Sequence, residues 1–154
     1  RLQYFVNEGG FVERIVQNDV SVMELSATLK IIKDPTLSEM VEDAIFYYHH
    51  PHKRSRSTSL IKIWGAFERF KTLEEGNKSK SVNKIVTMMS SDSSDFEVIL
   101  NDEFKYLSYI GNNYIIRHTE TDKIPLTCDE HHDYLFQRCG SLLVLGLRMF
   151  YKDR

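Results

Sequence analysis

Ser59-Leu60-Ile61-Lys62-Ile63-Trp64-Gly65-Ala66-Phe67-Glu68-Arg69-Phe70-Lys71 is the stretch whose reading decides the fold. Its large apolar residues, Leu60, Ile63, Trp64, Phe67 and Phe70, recur at steps of three and four. That is the period of one helix face, whereas a half-buried strand would alternate every second residue. Trp64 and Phe67 read as core anchors, because aromatic rings carry the most apolar area to bury. Ser55-Arg56-Ser57-Thr58-Ser59 offers several N-cap hydroxyls ahead of it. Gly76-Asn77 is expected to stop the helix.

Upstream, Asp34-Pro35 opens another helix, with Asp as the cap and Pro in the first turn. Leu37, Met40, Val41, Ala44, Ile45 and Tyr48 continue it as an apolar stripe. His49-His50-Pro51-His52 ends it, since a residue before proline resists helical geometry. Val22, Leu25, Leu29 and Ile32 mark a shorter helix over 22–32. Further back, Leu2-Gln3-Tyr4-Phe5-Val6 and Phe11-Val12-Glu13-Arg14-Ile15-Val16 are aromatic and β-branched, with Asn7-Glu8-Gly9-Gly10 between them. The two glycines supply the positive φ of a tight turn, so 1–17 reads as a β-hairpin with a four-residue loop. A lone hairpin is marginal in water, and this one is expected to pack on the helices.

Downstream, Lys78 to Met89 is a basic helix, with Val82, Ile85, Val86 and Met89 inward and Lys78, Lys80 and Lys84 outward. Ser90-Ser91-Asp92-Ser93-Ser94 is a loop. Phe96, Ile99, Leu100, Phe104, Leu107 and Ile110 define the next helix, expected to end near Gly111. The last helix runs from Cys128 or Asp129 to Phe150, and Asp129-Glu130 suit its positive end. Leu135, Cys139, Leu142, Leu143, Gly146 and Met149 repeat down one face, as in a bundle interior or at a subunit contact. The expected fold is therefore mainly α: a small N-terminal hairpin over 1–17, helices over 20–151, and one domain over 1–154.

A chain of 154 residues is long enough to bury roughly 68–70% of its unfolded surface without staples. Apolar residues make up 42% and charged residues 27%, ordinary usage for a globular protein. The net charge of −2 sets up no global field toward nucleic acid or membrane. A nucleic-acid role would need a local basic patch, for which Lys78, Lys80, Lys84 and Lys53-Arg54-Arg56 are the candidates. The plainer reading of those charges is a solvated face. Cys128 and Cys139 lie eleven positions apart in or near one helix, about 16 Å, too far for a disulfide that needs about 7 Å. They read as reduced, and the protein as cytoplasmic. No apolar run reaches the roughly 18 residues of a membrane span, and no signal peptide is visible. The chain begins at Arg1, directly in an apolar run, as a piece of a longer chain would.

The histidines His49, His50, His52, His131 and His132 lack the convergent spacing of a metal site, and no metal or other cofactor is expected. No G-x-S-x-G, P-loop or G-x-G-x-x-G is present, which removes support for hydrolase-triad, kinase and dinucleotide chemistry. The segment from Gly111 to Lys123 remains. Asn112, Asn113, Arg117, His118, Glu120, Asp122 and Lys123 crowd into it between two apolar helices. Adjacent Arg117 and His118 suit phosphodiester chemistry: histidine moves a proton near neutrality, and arginine holds charge on a phosphoryl group. The plainer reading is a capping network in which Arg117 pairs with Glu120 or Glu130.

Two stretches resemble prokaryotic HEPN-type domains of the abortive-infection AbiJ type. They are the run Leu60 to Thr72, and Tyr109 to Thr121 followed by Glu130-His131-His132-Asp133-Tyr134-Leu135-Phe136-Gln137-Arg138-Cys139. Tyr4, Gly10, Phe11 and Val12 fit the start of that group, and the likeness covers roughly 1–150. It implies an antiparallel bundle of four to five main helices, a homodimer with a cleft at its interface, and a phage-defence or toxin-type setting. A partner domain or antitoxin and an RNA substrate are implied with it. Active members are metal-independent endoribonucleases whose signature is an arginine, then four to six residues, then a histidine. Here Arg117 touches His118 with no spacer, and Asn112 and Asn113 stand at the spaced positions. On this reading His118 is the acid/base, Arg117 stabilises phosphate charge, and Asn112 or Asn113 orients the substrate. Lys123, Arg69, Glu68 and Glu120 are candidates for substrate binding, and Lys71 could face the same cleft. The alternative is a non-catalytic dimerisation, regulatory or RNA-binding module. A nucleotide-binding domain is weaker still.

Overall fold

The structure is a computed structural model that describes residues 4–14, 20–74, 77–114, 116 and 123–152. The protein is mainly α-helical, a helical bundle with a small antiparallel hairpin at its N-terminus. The Trp64 stripe folds as α3 (Lys53–Phe70), the central element. Leu60, Ile63, Trp64, Ala66, Phe67 and Phe70 are all buried. α2 (Pro35–His49) packs antiparallel to α3, with Asp34 against Arg69 at one end and Asp43 against Lys62 nearer the other. α6 (Asp129–Phe150) runs parallel to α3: Ser57 meets His132, the Cys139 thiol points at the Ile63 carbonyl, and Phe70 meets Phe150 edge-on. α1 (Val20–Thr28) lies against α6 and α2. α4 (Lys78–Ser90) and α5 (Ser94–Asn113) form a helical hairpin that closes the remaining side, with the Phe104 ring 5.5 Å from that of Phe67. One continuous apolar cluster draws on all six of these helices and on Ile116. Both cysteines are free.

The start of α2 follows its expected chemistry. Asp34 caps it, accepting from the Leu37 N–H at 2.8 Å, and also takes a two-point hydrogen bond from Arg69. That Arg69 hydrogen bond holds the Asp34 carboxyl below its ordinary value. Asp34→Ala is expected to cost about 1–2 kcal/mol through the lost cap. Asp34→Asn keeps the cap and should cost less. The sign of the pH effect follows from the lowered value: the ion pair contributes above the unfolded value of 3.8 and is lost as pH falls through the folded one. Urea titrations at pH 7 and pH 3 check this. A loss equal at both pH values would show that the charge plays no part.

Several boundaries differ from expectation. α3 begins at Lys53 rather than after the serine run, because His52 caps it, its ring nitrogen accepting from the Arg54 N–H at 3.2 Å. The hydroxyls expected as caps lie inside the helix and return to its carbonyls, Thr58 to Arg54 and Ser59 to Arg56. α3 stops at Phe70 rather than Gly76, and Asn77 caps α4 instead, accepting from the Lys80 N–H at 3.0 Å. α5 runs through Gly111 to Asn113, so Asn112 and Asn113 form its last turn. α1 ends earlier than expected, at Thr28, whose hydroxyl donates to the Leu25 carbonyl.

The hairpin pairs β1 (Tyr4–Val6) with β2 (Val12–Arg14), and Phe11 joins its turn, which makes the loop one residue longer than expected. Gly10 has φ +79°, which a side chain would oppose. Tyr4, Phe5, Val6 and Val12 remain exposed. The hairpin shares a groove with α2, lined by Phe11 and Val12 on one side and by Phe46 and His50 on the other.

Candidate functional site

Asn112 and Asn113 sit where α5 gives way to the polar segment. Asn113 turns back on its own helix, its amide donating to the Tyr109 carbonyl at 2.8 Å. Its carbonyl accepts from the Ile124 N–H at 2.9 Å, and Tyr114 and Ile124 form an isolated parallel bridge. Ile116 is buried, 2% exposed, so Arg117 follows directly on a core position. Arg117, His118 and Glu120 themselves lie outside the described residues. Lys123 is half-buried beside the bridge.

Asn112 lines a groove of about 690 Å³ between α4 and α5, floored by the end of α3. Lys71, Lys78 and Lys105 face into it, with Asn83, Asn101 and Tyr109. Its polar floor is built around Lys71, the C-cap of α3. The Lys71 ammonium donates to Glu68 Oε1 at 2.6 Å and to Ser108 Oγ at 2.8 Å, and lies 4.5 Å from the centre of the Phe67 ring. Glu68 Oε2 takes a second ammonium, that of Lys78, at 2.5 Å. Exposure grades outward: the Lys71 side chain is 4% exposed, Glu68 17% and Lys78 56%. Burial alone would raise the Glu68 carboxyl, but the hydrogen bonds from Lys71 and Lys78 more than reverse this and hold it below its ordinary value. Burial pushes the Lys71 ammonium down, against the pull of Glu68. Chemically this is one carboxylate shared by two lysines, with Lys105 on the opposite wall. Lys105 pairs with Asp102 one turn away, at 3.2 Å on the open surface, where such pairs hold weakly.

The candidates expected to act together on α3 separate. Glu68 bonds Lys71 and Lys78, which line the groove, whereas Arg69, about 100° further round the helix, clamps Asp34 against α2. Of the Lys53-Arg54-Arg56 cluster, Arg56 bonds Asp129 at 2.5 Å and approaches Asp133 at 3.9 Å, which ties α3 to the start of α6. A second cleft of about 530 Å³ opens there, beside Arg54 and His132. His132 Nδ1 bonds the Cys128 carbonyl at 3.0 Å, and Nε2 lies 3.2 Å from Ser57 Oγ. A carbonyl only accepts, so Nδ1 carries the proton and, in the neutral ring, Ser57 donates to Nε2. Among the described residues no three His, Cys, Asp or Glu side chains converge as metal ligands, and no helix is long and apolar enough to cross a membrane.

Local sequence does not mark Lys71, Ser108, Lys105 and Tyr109 as a set. The available signal is phase, since Lys71 follows Trp64 by seven and Phe67 by four, in register with the buried stripe. No family model, curated protein or solved structure matches the chain.

Proposed function

We propose that this domain binds RNA along the α4–α5 groove and, in a HEPN-like phage-defence or toxin-type role, cleaves it without metal. The observation that carries the reading is the groove itself. Lys71, Lys78 and Lys105 line it, and Asn112 lines it on the helix whose chain leads directly to Arg117 and His118. α4 also carries Lys80 and Lys84, outside the lining of the groove, and contains no acidic residue. Phosphate oxygens favour this arrangement, and their binding to lysines releases counterions. In the cleavage step, His118 takes the proton of a ribose 2′-hydroxyl, whose oxygen attacks the adjacent phosphorus. The 5′-oxygen leaves with a proton taken from water, and the products are a 2′,3′-cyclic phosphate and a 5′-hydroxyl. Arg117 holds the charge that builds on the phosphoryl oxygens.

The test is incubation of purified protein with labelled RNA in EDTA, with ends analysed for cyclic phosphate. Wild type is expected to cleave, His118→Ala to fall to background while still binding, and Lys78→Glu/Lys105→Glu to lose binding. Bound but uncut RNA with wild type would favour the non-catalytic RNA-binding module, a reading that the missing spacer between Arg117 and His118 supports. Absence of binding would end the RNA reading.

A further inference from the structure

The lysine groove has a neighbour. Tyr109 forms the wall between it and a second groove of about 330 Å³ on the other side of α5, lined by Tyr106, Tyr134 and Arg138. Tyr106, Tyr109 and Tyr134 are 58%, 54% and 59% exposed. The Tyr106 and Tyr109 rings lie 6.2 Å apart. Arg138 stands 5.2 Å over the Tyr106 ring, and Glu103 holds its guanidinium at two points, both 2.7 Å. Three large rings left open side by side form a patch of the sort that marks a binding surface. Their setting is amphipathic: one flank presents ammonium groups, the other flat π-faces.

Resting on the RNA reading above, we infer that the ligand is single-stranded RNA lying across α5, with phosphates on Lys78 and Lys105 and unpaired bases stacked on Tyr109 and Tyr106. A duplex cannot use both flanks, because its bases are already stacked and paired inside. A single strand can, since aromatic side chains take successive bases while lysines follow the backbone. Charge argues against a second copy of this chain as the occupant. A two-fold contact centred on Tyr109 would bring two lysine grooves together, with like charges opposed.

The experiment is fluorescence anisotropy on the whole chain, with a fluorescein-labelled single-stranded RNA and a perfectly paired hairpin of equal length. Circular dichroism checks that each variant is folded, and sedimentation gives its mass. Wild type should prefer the single strand. Tyr109→Ala should weaken it about tenfold, Tyr109→Phe should keep most of the affinity, and neither should alter hairpin binding. Three results would overturn the inference: equal affinity for both RNAs; single-strand binding unmoved by Tyr109→Ala and Tyr106→Ala; or a wild-type dimer that Tyr109→Ala converts to monomer with RNA affinity intact, which gives the face to a second copy. In each of these RNA still binds, so the broader reading survives. If neither RNA binds, both fall together.

Discussion

Gly111→Ala is expected to destabilise the fold by about 1–2 kcal/mol, although alanine is the better helix former. A Cβ at this position would lie 2.3 Å from Trp64 Nε1 and 2.6 Å from its Cδ1. The indole cannot step aside cheaply. Trp64 is fully buried, and its N–H donates to the Leu107 carbonyl at 3.2 Å. Turning the ring breaks that bond and leaves a buried donor unpaired, at about 1–3 kcal/mol. Keeping it forces α5 away from α3, an overpacking cost of about 1–3 kcal/mol. The gain in helix propensity returns only about 1 kcal/mol. In a chain of this size the expected loss lowers Tm by roughly 5 °C. Gly65→Ala supplies the control within α3. There the Cβ would meet Met40 Sδ at 3.5 Å, an ordinary contact, so that substitution should be neutral or mildly stabilising. Equilibrium unfolding of both variants is the measurement. A Gly111→Ala protein within about 0.5 kcal/mol of wild type would mean that the α3–α5 contact is not close.

Gly111 also marks the limit of what local sequence discloses. A glycine after an apolar run reads as a helix stop, and nothing nearby says that it is a notch for an indole 47 positions earlier. The Leu60-to-Phe70 stripe, the Asp34-Pro35 start and the Asp129 start are legible because each rests on periodicity, capping or first-turn acidic charge within a few residues. His52 as a cap is not, since serines and threonines serve equally as caps or as hydroxyls folded back on a helix, and tertiary burial decides between them. Thus Ser55 and Ser59 are buried, the first against His50 Nδ1 at 3.0 Å. The site divides the same way. Asn112 and Lys78 are visible as polar and basic positions, but their common groove requires α3, α4 and α5 to converge. Adjacent Glu68 and Arg69 look like one functional pair in sequence, and the helix turns them to different partners, Lys71 and Asp34.

Glu68→Gln is expected to cost about 3–5 kcal/mol at neutral pH, more than Lys71→Met, because the two changes leave different groups uncompensated. The glutamine keeps the shape and one acceptor oxygen but removes the carboxylate bonded to Lys71, whose ammonium would then rest on Ser108 and the Phe67 ring. Lys71→Met removes the buried cation and leaves Glu68 with the partly exposed Lys78. Changing both together should recover part of the loss, since the buried cation that glutamine leaves uncompensated is then gone. The pH dependence has a definite sign. The Glu68 carboxyl is held below its unfolded value of 4.5, so its contribution is present above that pH and vanishes as pH falls through the folded value. The gap between wild type and Glu68→Gln should therefore close in acid. It should also narrow in alkali, because Lys71, already below 10.5 through burial, sheds its proton more readily without the carboxylate. Urea titrations from acid to alkaline pH read both limbs. A loss under about 1 kcal/mol, flat with pH, would mean that water reaches Lys71 and the pair behaves like one on the surface. On the RNA reading proposed above, the same variant has an independent readout. Removing the carboxylate frees Lys78 for phosphate, so RNA affinity at low salt should rise while stability falls. If both fell together, Glu68 would be positioning Lys78 for its ligand rather than restraining it.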